Sequence, residues 1–251
     1  MADAETITHS SFLIPHFSAN MEGFILAAGL GTRLRPLTDT RPKALVEVGG
    51  HTLLELAIRR LEAAGIRHIV VNVHHFAPQV IDFIESLKDK ESKSLRACRI
   101  DISDESDLLL DTGGGLKKAA PLFSGSDNIL VHNVDILSRV NLQDVERQHR
   151  EQGNDATLCV SRRTTKRLLQ FDADGRLLRR ADEGMAFSGI SVVSPRLLTL
   201  LPEADHPYPI IDEYIRLSPQ AAIRCYEHPK EGWIDVGKPD TLEKARQWLL
   251  S

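Results

Sequence analysis

The chain has 251 residues, of which 42% are hydrophobic and 26% are charged, and this composition excludes a fibrous or disordered protein. The net charge of −4 excludes a surface built for general nucleic-acid or membrane binding, so any cationic site must be local. No apolar run approaches the roughly 18 residues that a membrane span needs. The three cysteines (Cys98, Cys159 and Cys225) are too far apart for a disulfide framework or a metal cluster, and they indicate reduced core residues of a cytoplasmic protein.

The first 20 residues differ from the rest of the chain. They lack a cationic start followed by a continuous apolar stretch, so they do not match a secretory signal. Met21 stands three residues before the first predicted strand, so either translation begins at Met21 or the chain carries a short N-terminal extension. We therefore predict that residues 1–20 lie outside the fold and that residues 21–251 form a single domain.

The stretch of residues 24–43, FILAAGLGTRLRPLTDTRPK, carries the main functional signal. Its apolar start predicts a short buried strand, which Gly29 and Gly31 end with a tight turn whose N–H groups face one point. Arg33 adds a planar cationic fork, and Lys43 adds a compact cation at the far end. This combination is typical of a polyphosphate site. The alternatives are a dinucleotide fingerprint, which fails because a leucine occupies its third glycine position, and a plain surface turn.

The full pattern G-x-G-T-R-x-x-P-x-T-x-x-x-P-K, from Gly29 to Lys43, resembles the signature of the sugar-1-phosphate nucleotidylyltransferases. These enzymes join a nucleoside triphosphate to a sugar 1-phosphate and release pyrophosphate. The resemblance implies that Arg33 and Lys43 are the catalytic cations. It also implies a set of nucleotide-binding residues along the strand end and the turn, namely Leu26, Ala27, Ala28, Gly29, Gly31, Thr32 and Arg33.

The next segments alternate between helix and strand. Apolar residues recur at helical spacing over residues 53–64, and Gly65 then ends the predicted helix. Residues 68–73 form a β-branched run typical of a buried strand, residues 80–87 predict a second amphipathic helix, and residues 95–102 predict another strand. Strands and helices that alternate with short connections predict a parallel sheet covered on both faces.

Residues 111–115, DTGGG, precede a helix that is predicted to begin near Leu116. Three consecutive glycines can form a plain flexible turn, or they can let the backbone approach a flat ligand such as a nucleobase. In the resembling family a loop of threonine and small residues contacts the base. The resemblance therefore implies that Thr112, Gly113 and Gly114 bind the nucleotide.

Two carboxylates stand out in the second half of the chain. Residues 128–134 predict a buried strand that leads into Asp135, where open α/β sheets bind ligands, although an aspartate there could also cap the following turn. The resemblance implies that Asp135 and Asp235 hold Mg²⁺, the second of them within the GWIDVGKP element of residues 232–239. Val134 departs from the family pattern, which usually has glycine before the first aspartate.

The remaining segments predict further strands and helices, with helices over residues 141–152, 197–201 and 210–217 and after Pro239, strands over 156–161, 185–193 and 223–228, and a hairpin over 168–178. The resemblance places small residues of an F-S-G-I segment against the sugar, which makes Ser188 and Gly189 the predicted sugar-binding positions. His74 and His75 follow a strand without a cysteine partner or H-E-x-x-H spacing, so they predict polar loop residues rather than a metal site.

The whole pattern predicts an α/β protein with a Rossmann-like, three-layer nucleotidyltransferase fold around a mixed, mostly parallel sheet. The resemblance is nearest to the short N-acetylmuramate-1-phosphate uridylyltransferases and the mannose-1-phosphate guanylyltransferases. It implies Mg²⁺-dependent transfer of a nucleotidyl group from a nucleoside triphosphate, with UTP favoured, to a sugar 1-phosphate. The expected partners are these two substrates, with no nucleic acid and no membrane, and the oligomeric state stays open.

Three alternatives remain beside this prediction. The chain could transfer a guanylyl group to mannose or heptose 1-phosphate, or a cytidylyl group to a non-sugar phosphate such as phosphocholine. It could also be a sugar-nucleotide sensor that kept the pocket and lost turnover, which the intact charged positions of the motifs argue against.

Overall fold

One mixed β-sheet organises the computed structural model of the chain, which describes residues 21–89 and 98–249. The predicted extension at residues 1–20 lies outside these described residues. The strands of the described part are Met21–Leu26 (β1), Glu47–Val48 (β2), His51–Thr52 (β3), His68–Val73 (β4), Arg99–Asp104 (β5), Asn128–Asn133 (β6), Ile136–Ser138 (β7), Ala156–Ser161 (β8), Leu168–Phe171 (β9), Leu177–Ala181 (β10), Met185–Val193 (β11), Ile223–Glu227 (β12) and Trp233–Asp235 (β13). Its α-helices are Leu53–Ala63 (α1), Ala77–Asp89 (α2), Asp111–Ala119 (α3), Leu142–Glu151 (α4), Pro195–Leu200 (α5), Ile210–Leu217 (α6) and Pro239–Leu249 (α7).

β1 lies at the centre of the sheet. β4 and β6 run parallel to it on either side, and β5 runs parallel to β4 at the edge. These strands are apolar runs because helices cover both faces of a parallel sheet. Phe24 belongs to the core that packs against Tyr214 of α6, whereas its neighbour Ile25 belongs to the core that packs against Leu54 of α1. The sheet therefore lies between two helical layers, and the predicted three-layer α/β fold is confirmed.

β11 joins the parallel strands to the antiparallel part of the sheet. One end of β11 pairs with β6, the other end pairs with β9, and its opposite edge pairs with β8. The register shifts between Phe187 and Ser191, and Gly189 within this bulge has a φ of 75°. A Cβ at Gly189 would lie only 2.8 Å from Ile136 Cγ1 and 3.0 Å from Asn133 Nδ2. Both the backbone conformation and the space therefore require glycine here.

A small ribbon completes the carboxyl edge of the parallel strands. β7 and β13 pair antiparallel, with Asp235 opposite Ile136. The N–H of Val236 donates to the carbonyl oxygen of Asp135 over 2.8 Å. The ribbon therefore brings Asp235 next to Asp135, although the two residues lie far apart in the sequence.

Several predicted boundaries are wrong. The hairpin predicted over residues 168–178 continues to Ala181, and the helix predicted over residues 197–201 runs from Pro195 to Leu200. The strand expected over residues 95–102 runs instead from Arg99 to Asp104, and residues 95–97 lie outside the described part of the chain. The helix expected near Leu116 begins at Asp111 and therefore includes the three glycines. Among the described residues, none of the helices combines the length and the apolar character that crossing a bilayer demands. All three cysteines are free thiols, as the sequence predicted.

Candidate active site

The buried side-chain amide of Asn72 anchors the start of the turn after β1. The N–H groups of Ala27 and Ala28 both donate to Oδ1 of Asn72, over 2.6 and 3.2 Å. Nδ2 of Asn72 donates to Oε1 of Glu105 over 2.7 Å, and Oε2 of Glu105 accepts the N–H of Leu110 over 3.0 Å. Asn72 and Glu105 thus connect the end of β1 to the residue that precedes α3. This buried network fixes the spacing between the two segments that the sequence predicted to bind the nucleotide.

The turn then folds back onto Lys43. Gly31 has a φ of 65°, and a Cβ there would lie 2.9 Å from both Lys43 Cβ and Thr38 Cγ2. The hydroxyl of Thr38 donates to the carbonyl oxygen of Gly31 over 2.9 Å. Within the described residues the N–H groups of Gly29 and Gly31 have no hydrogen-bond acceptor, so they are available to an anion. Thr32 starts a short 3₁₀ turn and is exposed.

The two predicted metal carboxylates lie together at the end of β6. Burial raises the pKa of Asp235, and the charge of Asp135 raises it further, whereas Lys43 and Arg33 lower it. Oδ1 of Asp235 is buried and has no hydrogen-bond partner within the described part of the protein. Two close carboxylates with an unpartnered oxygen require a cation when both are ionised.

Both predicted catalytic cations reach this pair. Lys43, which is 9% exposed, forms an ion pair with Oδ2 of Asp135, and Nη2 of Arg33 lies 3.9 Å from Oδ2 of Asp235. Gly237 makes room for the second contact, because a Cβ there would lie 2.6 Å from both Arg33 Nη2 and Asp235 Oδ1. The structure therefore brings together all four charged residues that the sequence predicted.

Val134, the departure from the family pattern, does not obstruct the site. Its side chain is buried in the hydrophobic core, and its N–H donates to the carbonyl oxygen of Leu26 over 3.2 Å. Val134 and Asp135 form the turn between β6 and β7, in which Val134 packs into the core while Asp135 lines the cleft.

A cleft of about 1070 Å³ lies beside the four charged residues. Ser188 and Gly189, the predicted sugar-binding positions, line it together with Arg163 and Trp233. Ser188 itself is fully buried, and its hydroxyl lies 2.9 Å from Nη1 of Arg163 and 2.8 Å from Nε2 of His228. The hydroxyl of Ser188 is therefore occupied inside the protein, and it acts on the cleft by holding Arg163.

The predicted role of Gly113 and Gly114 needs correction. Their N–H groups point to the carbonyl oxygen of Tyr208, at 2.9 and 3.4 Å, so they are not available to a base. A Cβ at Gly113 would lie 2.5 Å from two ring carbons of Tyr208, and a Cβ at Gly114 would lie 2.9 Å from Cβ of Leu110. These glycines bring α3 close to a protein side chain rather than to a ligand. Thr112 does line the cleft, where its hydroxyl oxygen accepts the Ile210 N–H over 2.9 Å.

The sequence did not single out Asn72, Glu105, Arg163 or Trp233. A signal for Asn72 exists, because it is a polar residue near the end of an otherwise apolar parallel strand. Arg163 had no such signal, because the loop after β8 carries several similar cations. His74 is a polar loop residue as predicted, with Nδ1 2.7 Å from the carbonyl oxygen of Glu105.

The fold and the site define a class of protein: an α/β protein whose cleft carries paired carboxylates and cations at the carboxyl ends of its parallel strands. The chain belongs to the nucleotidyl transferase family, which its residues 22–171 match. It is a sugar-1-phosphate nucleotidylyltransferase, and the predicted resemblance is confirmed.

Two relatives show how this family membership extends along the chain. The chain is 36% identical to an N-acetylmuramate alpha-1-phosphate uridylyltransferase of Caulobacter vibrioides, over 90% of this chain and 95% of that protein. It is 31% identical to a mannose-1-phosphate guanyltransferase of Yarrowia lipolytica, over 92% of this chain. The matched part spans only 65% of the length of that guanyltransferase.

Solved structures share the fold. HddC from Yersinia pseudotuberculosis matches with a TM-score of 0.73 at 21% identity, over 92% of this chain and 99% of that chain. A UDP-glucose pyrophosphorylase solved with UDP-glucose matches with a TM-score of 0.76 at 16% identity, over 92% of this chain and 98% of that chain. At these identities the likeness concerns the fold alone.

Proposed function

We propose that the chain transfers a nucleotidyl group from a nucleoside triphosphate, with UTP favoured, to a sugar 1-phosphate, which gives an NDP-sugar and pyrophosphate. The observation that carries this proposal is the pair Asp135 and Asp235, held side by side at the end of β6 with Lys43 and Arg33 as counter-charges. Family membership supplies the reaction class, and these four residues supply the charge pattern that the reaction requires.

The reaction joins two anions. An oxygen of the sugar 1-phosphate attacks the α-phosphorus of the triphosphate, the bond from that phosphorus to the bridging oxygen breaks, and pyrophosphate leaves in line. Charge repulsion and positioning dominate such a barrier, so no nucleophilic side chain is required. We assign Arg33, which is half exposed at the turn, to the leaving pyrophosphate, and Lys43, which is buried beside Asp135, to the reacting phosphates.

The residues present fit Mg²⁺. Mg²⁺ prefers oxygen ligands and is commonly held by one or two carboxylates together with substrate phosphates. The buried, unpartnered Oδ1 of Asp235 suits a ligand atom, and the described residues contain no cage of three or more His, Cys, Asp or Glu that could hold a metal alone. Asp135 and Asp235 would hold the ion, and the ion would neutralise charge on the phosphates.

The two substrates would occupy different walls of the cleft. The N–H groups of Gly29 and Gly31, which no acceptor of the described residues occupies, support binding of the triphosphate at the turn, and Thr112 supports a contact to the base. Gly189 supports the sugar side with backbone atoms in a bulge that opens on the cleft, and Ser188 supports it by holding Arg163.

The proposed acceptor is an N-acetylated amino sugar 1-phosphate, with N-acetylmuramate 1-phosphate first. The C. vibrioides relative, which acts on that sugar by its name and aligns over nearly its whole length, supports this choice. The second candidate is guanylyl transfer to mannose 1-phosphate, which the Y. lipolytica relative supports. The three free thiols fit a reducing compartment, so we propose a cytoplasmic location. The proposed acceptor also leads us to propose a role in cell-wall sugar metabolism.

A pyrophosphate-release assay tests the proposal. The purified chain is given each of the four ribonucleoside triphosphates with a panel of sugar 1-phosphates, with Mg²⁺ and with excess chelator. We expect the highest kcat/KM for UTP with N-acetylmuramate 1-phosphate and no turnover without the metal. A preference for GTP with mannose or heptose 1-phosphate would favour the second candidate, and no pyrophosphate release from any pair would refute nucleotidyl transfer.

A further inference from the structure

The cleft has a cationic end that the reaction described above does not use. Arg163, Arg167 and Arg180 line the cleft along the loop after β8 and the β9–β10 hairpin. Arg167 and Arg180 also line an adjoining cavity of about 380 Å³, together with Lys166 and Arg179. The one acidic residue among the residues that line this second cavity is Asp182.

The two ends of the cleft differ in charge balance. At the end of the cleft where the reaction is proposed, the positive charges of Lys43 and Arg33 are each paired with one carboxylate, Asp135 and Asp235 respectively. At the cationic end, Arg180 is paired with Asp212, whose Oδ1 lies 2.5 Å from Nη2 of Arg180. Within the described part of the chain neither Arg163 nor Arg167 forms an ion pair with a carboxylate, although the charge of Asp235 acts on Arg163 from a longer distance.

Arg163 is a fixed cation rather than a loose surface side chain. Its Nη1 donates to the hydroxyls of Ser161 over 2.7 Å and Ser188 over 2.9 Å, and its Nη2 donates to the carbonyl oxygen of Phe187. Its guanidinium carbon lies 3.8 Å from the centroid of the Trp233 ring, a cation–π contact. All its hydrogen-bond partners are neutral, so the positive charge is preserved. Three of the five N–H groups of a guanidinium are used, which leaves two for a ligand.

The position of Arg163 assigns this cation to the acceptor side of the cleft. Arg163 is hydrogen-bonded to Ser188, which is next to Gly189 in the proposed sugar-binding bulge. The turn of Gly29 and Gly31, where the triphosphate would bind, has its own cation in Arg33. The 1-phosphate of the acceptor must reach the α-phosphorus beside Asp135 and Asp235, so an anion held by Arg163 and Arg167 together would be a further anionic group of the acceptor.

We infer that the acceptor sugar carries a carboxylate in addition to its 1-phosphate, and that Arg163 and Arg167 bind this carboxylate. The inference rests on the proposed function and specifies its substrate class. An arginine fork matches a carboxylate in two parallel hydrogen bonds. N-acetylmuramate meets the requirement, because it differs from N-acetylglucosamine by a lactyl ether that ends in a carboxylate.

The test compares these two sugars as 1-phosphates, because they differ only in the lactyl group. The kcat/KM of each is measured with the same triphosphate for the unmodified chain and for Arg163→Lys and Arg167→Gln. The control is Arg162→Gln, which removes an arginine from the same loop that pairs with Glu227 over 2.8 Å and does not line the cleft.

We expect the unmodified chain and the control to prefer the carboxylate sugar. Loss of a charged hydrogen bond should lower kcat/KM for that sugar by about 10- to 100-fold in each arginine variant. The kcat/KM for the N-acetylglucosamine compound and the KM for the triphosphate should change less than about threefold. If Arg163→Lys does not fold, Arg167→Gln alone decides, because Arg167 is exposed and its side chain forms no hydrogen bond or ion pair with the described residues.

Several results would overturn the inference. Equal use of the two sugars by the unmodified chain would remove the carboxylate requirement and leave nucleotidyl transfer standing. A sugar preference that both variants retain would remove the two arginines from the role. Turnover with mannose 1-phosphate and with neither amino sugar would refute the inference and move the proposed function to its second candidate.

Discussion

Replacement of Asn72 by alanine tests whether the buried amide holds the nucleotide side of the site together. The change removes three hydrogen bonds: two from the N–H groups of Ala27 and Ala28, and one to Glu105. Ala27, Ala28 and Glu105 are at most 5% exposed, so water cannot replace the lost partner. Each buried group left without a partner costs about 1–3 kcal/mol, and with partial relaxation we expect a loss of about 3–5 kcal/mol in the free energy of unfolding.

This loss can be measured by urea denaturation at pH 7 and by thermal melting. For a chain of this size, about 1 kcal/mol corresponds to a change of about 2–4 °C in Tm, so Asn72→Ala should lower Tm by about 10 °C. At temperatures where the variant is folded, its KM for the triphosphate should rise, because the turn that starts at Ala27 loses its anchor.

Asn72→Asp is the matched variant. An aspartate keeps the acceptor for Ala27 and Ala28 but places a second carboxylate against Glu105, whose pKa burial already raises. Two such carboxylates must share a proton, so this variant should be more stable at pH 5 than at pH 7, because a raised acid pKa removes stability as the pH rises. The reasoning is refuted if Asn72→Ala lies within about 1 kcal/mol of the unmodified chain.

Three further perturbations address the carboxylates, the space around Arg33 and the response to acid. Asp135→Asn and Asp235→Asn should each lower kcat by about 10³-fold at saturating Mg²⁺, with the melting temperature little changed. If either variant keeps a rate within tenfold of the unmodified chain, the substituted residue has no role in holding the metal. Gly237→Ala should push the exposed guanidinium of Arg33 away from Asp235 and lower kcat/KM by about 10- to 100-fold. The free energy of unfolding of this variant, measured in urea, should fall by less than about 1 kcal/mol. Unchanged turnover would contradict the role of Arg33. His149 should make the protein acid-sensitive, because burial lowers its pKa to about 4, and the unfolded chain therefore takes up a proton as the pH falls from 6.5 towards 4 while the folded chain does not. The free energy of unfolding should fall by about 3 kcal/mol across that range, and a pH series of urea denaturation on His149→Gln should show a shallower decline.

The sequence allowed the sheet and the charged centre of the site to be predicted, because both follow from local patterns. β4 and β8 have the predicted bounds, since short apolar runs rich in β-branched residues favour buried strands. Asp135 and Asp235 could be placed by their motifs, and the β7–β13 pairing explains why two distant motifs meet.

The glycines before Leu116 misled the prediction because their conformation is set by distant residues. Glycine disfavours a helix by about 1 kcal/mol per residue, so three in a row indicate a turn. In the structure, Tyr208 and Glu105 occupy the space that side chains at Gly113 and Gly115 would need. Close packing of α3 therefore overrides helix propensity, and no local pattern contains that information.

Arg163 marks the other limit of sequence analysis. Its position depends on two buried serine hydroxyls and an indole ring that come from three separate strands. Within the loop after β8, Arg162 and Arg167 carry the same charge and the same side chain. Arg163 differs from these two arginines only in the residues that surround it. Those residues come from other strands, so they can be identified only from the fold.

The β7–β13 ribbon has a consequence for when the protein becomes active during its synthesis. β1, β4, β5 and β6 all precede β13 in the chain and leave the ribosome first, whereas a domain generally folds as a unit. While the chain is still being made, Asp135 is therefore present without the second carboxylate. Asp235 arrives when β13 pairs with β7. On the proposed mechanism, turnover therefore begins only when the ribbon closes and both carboxylates are in place.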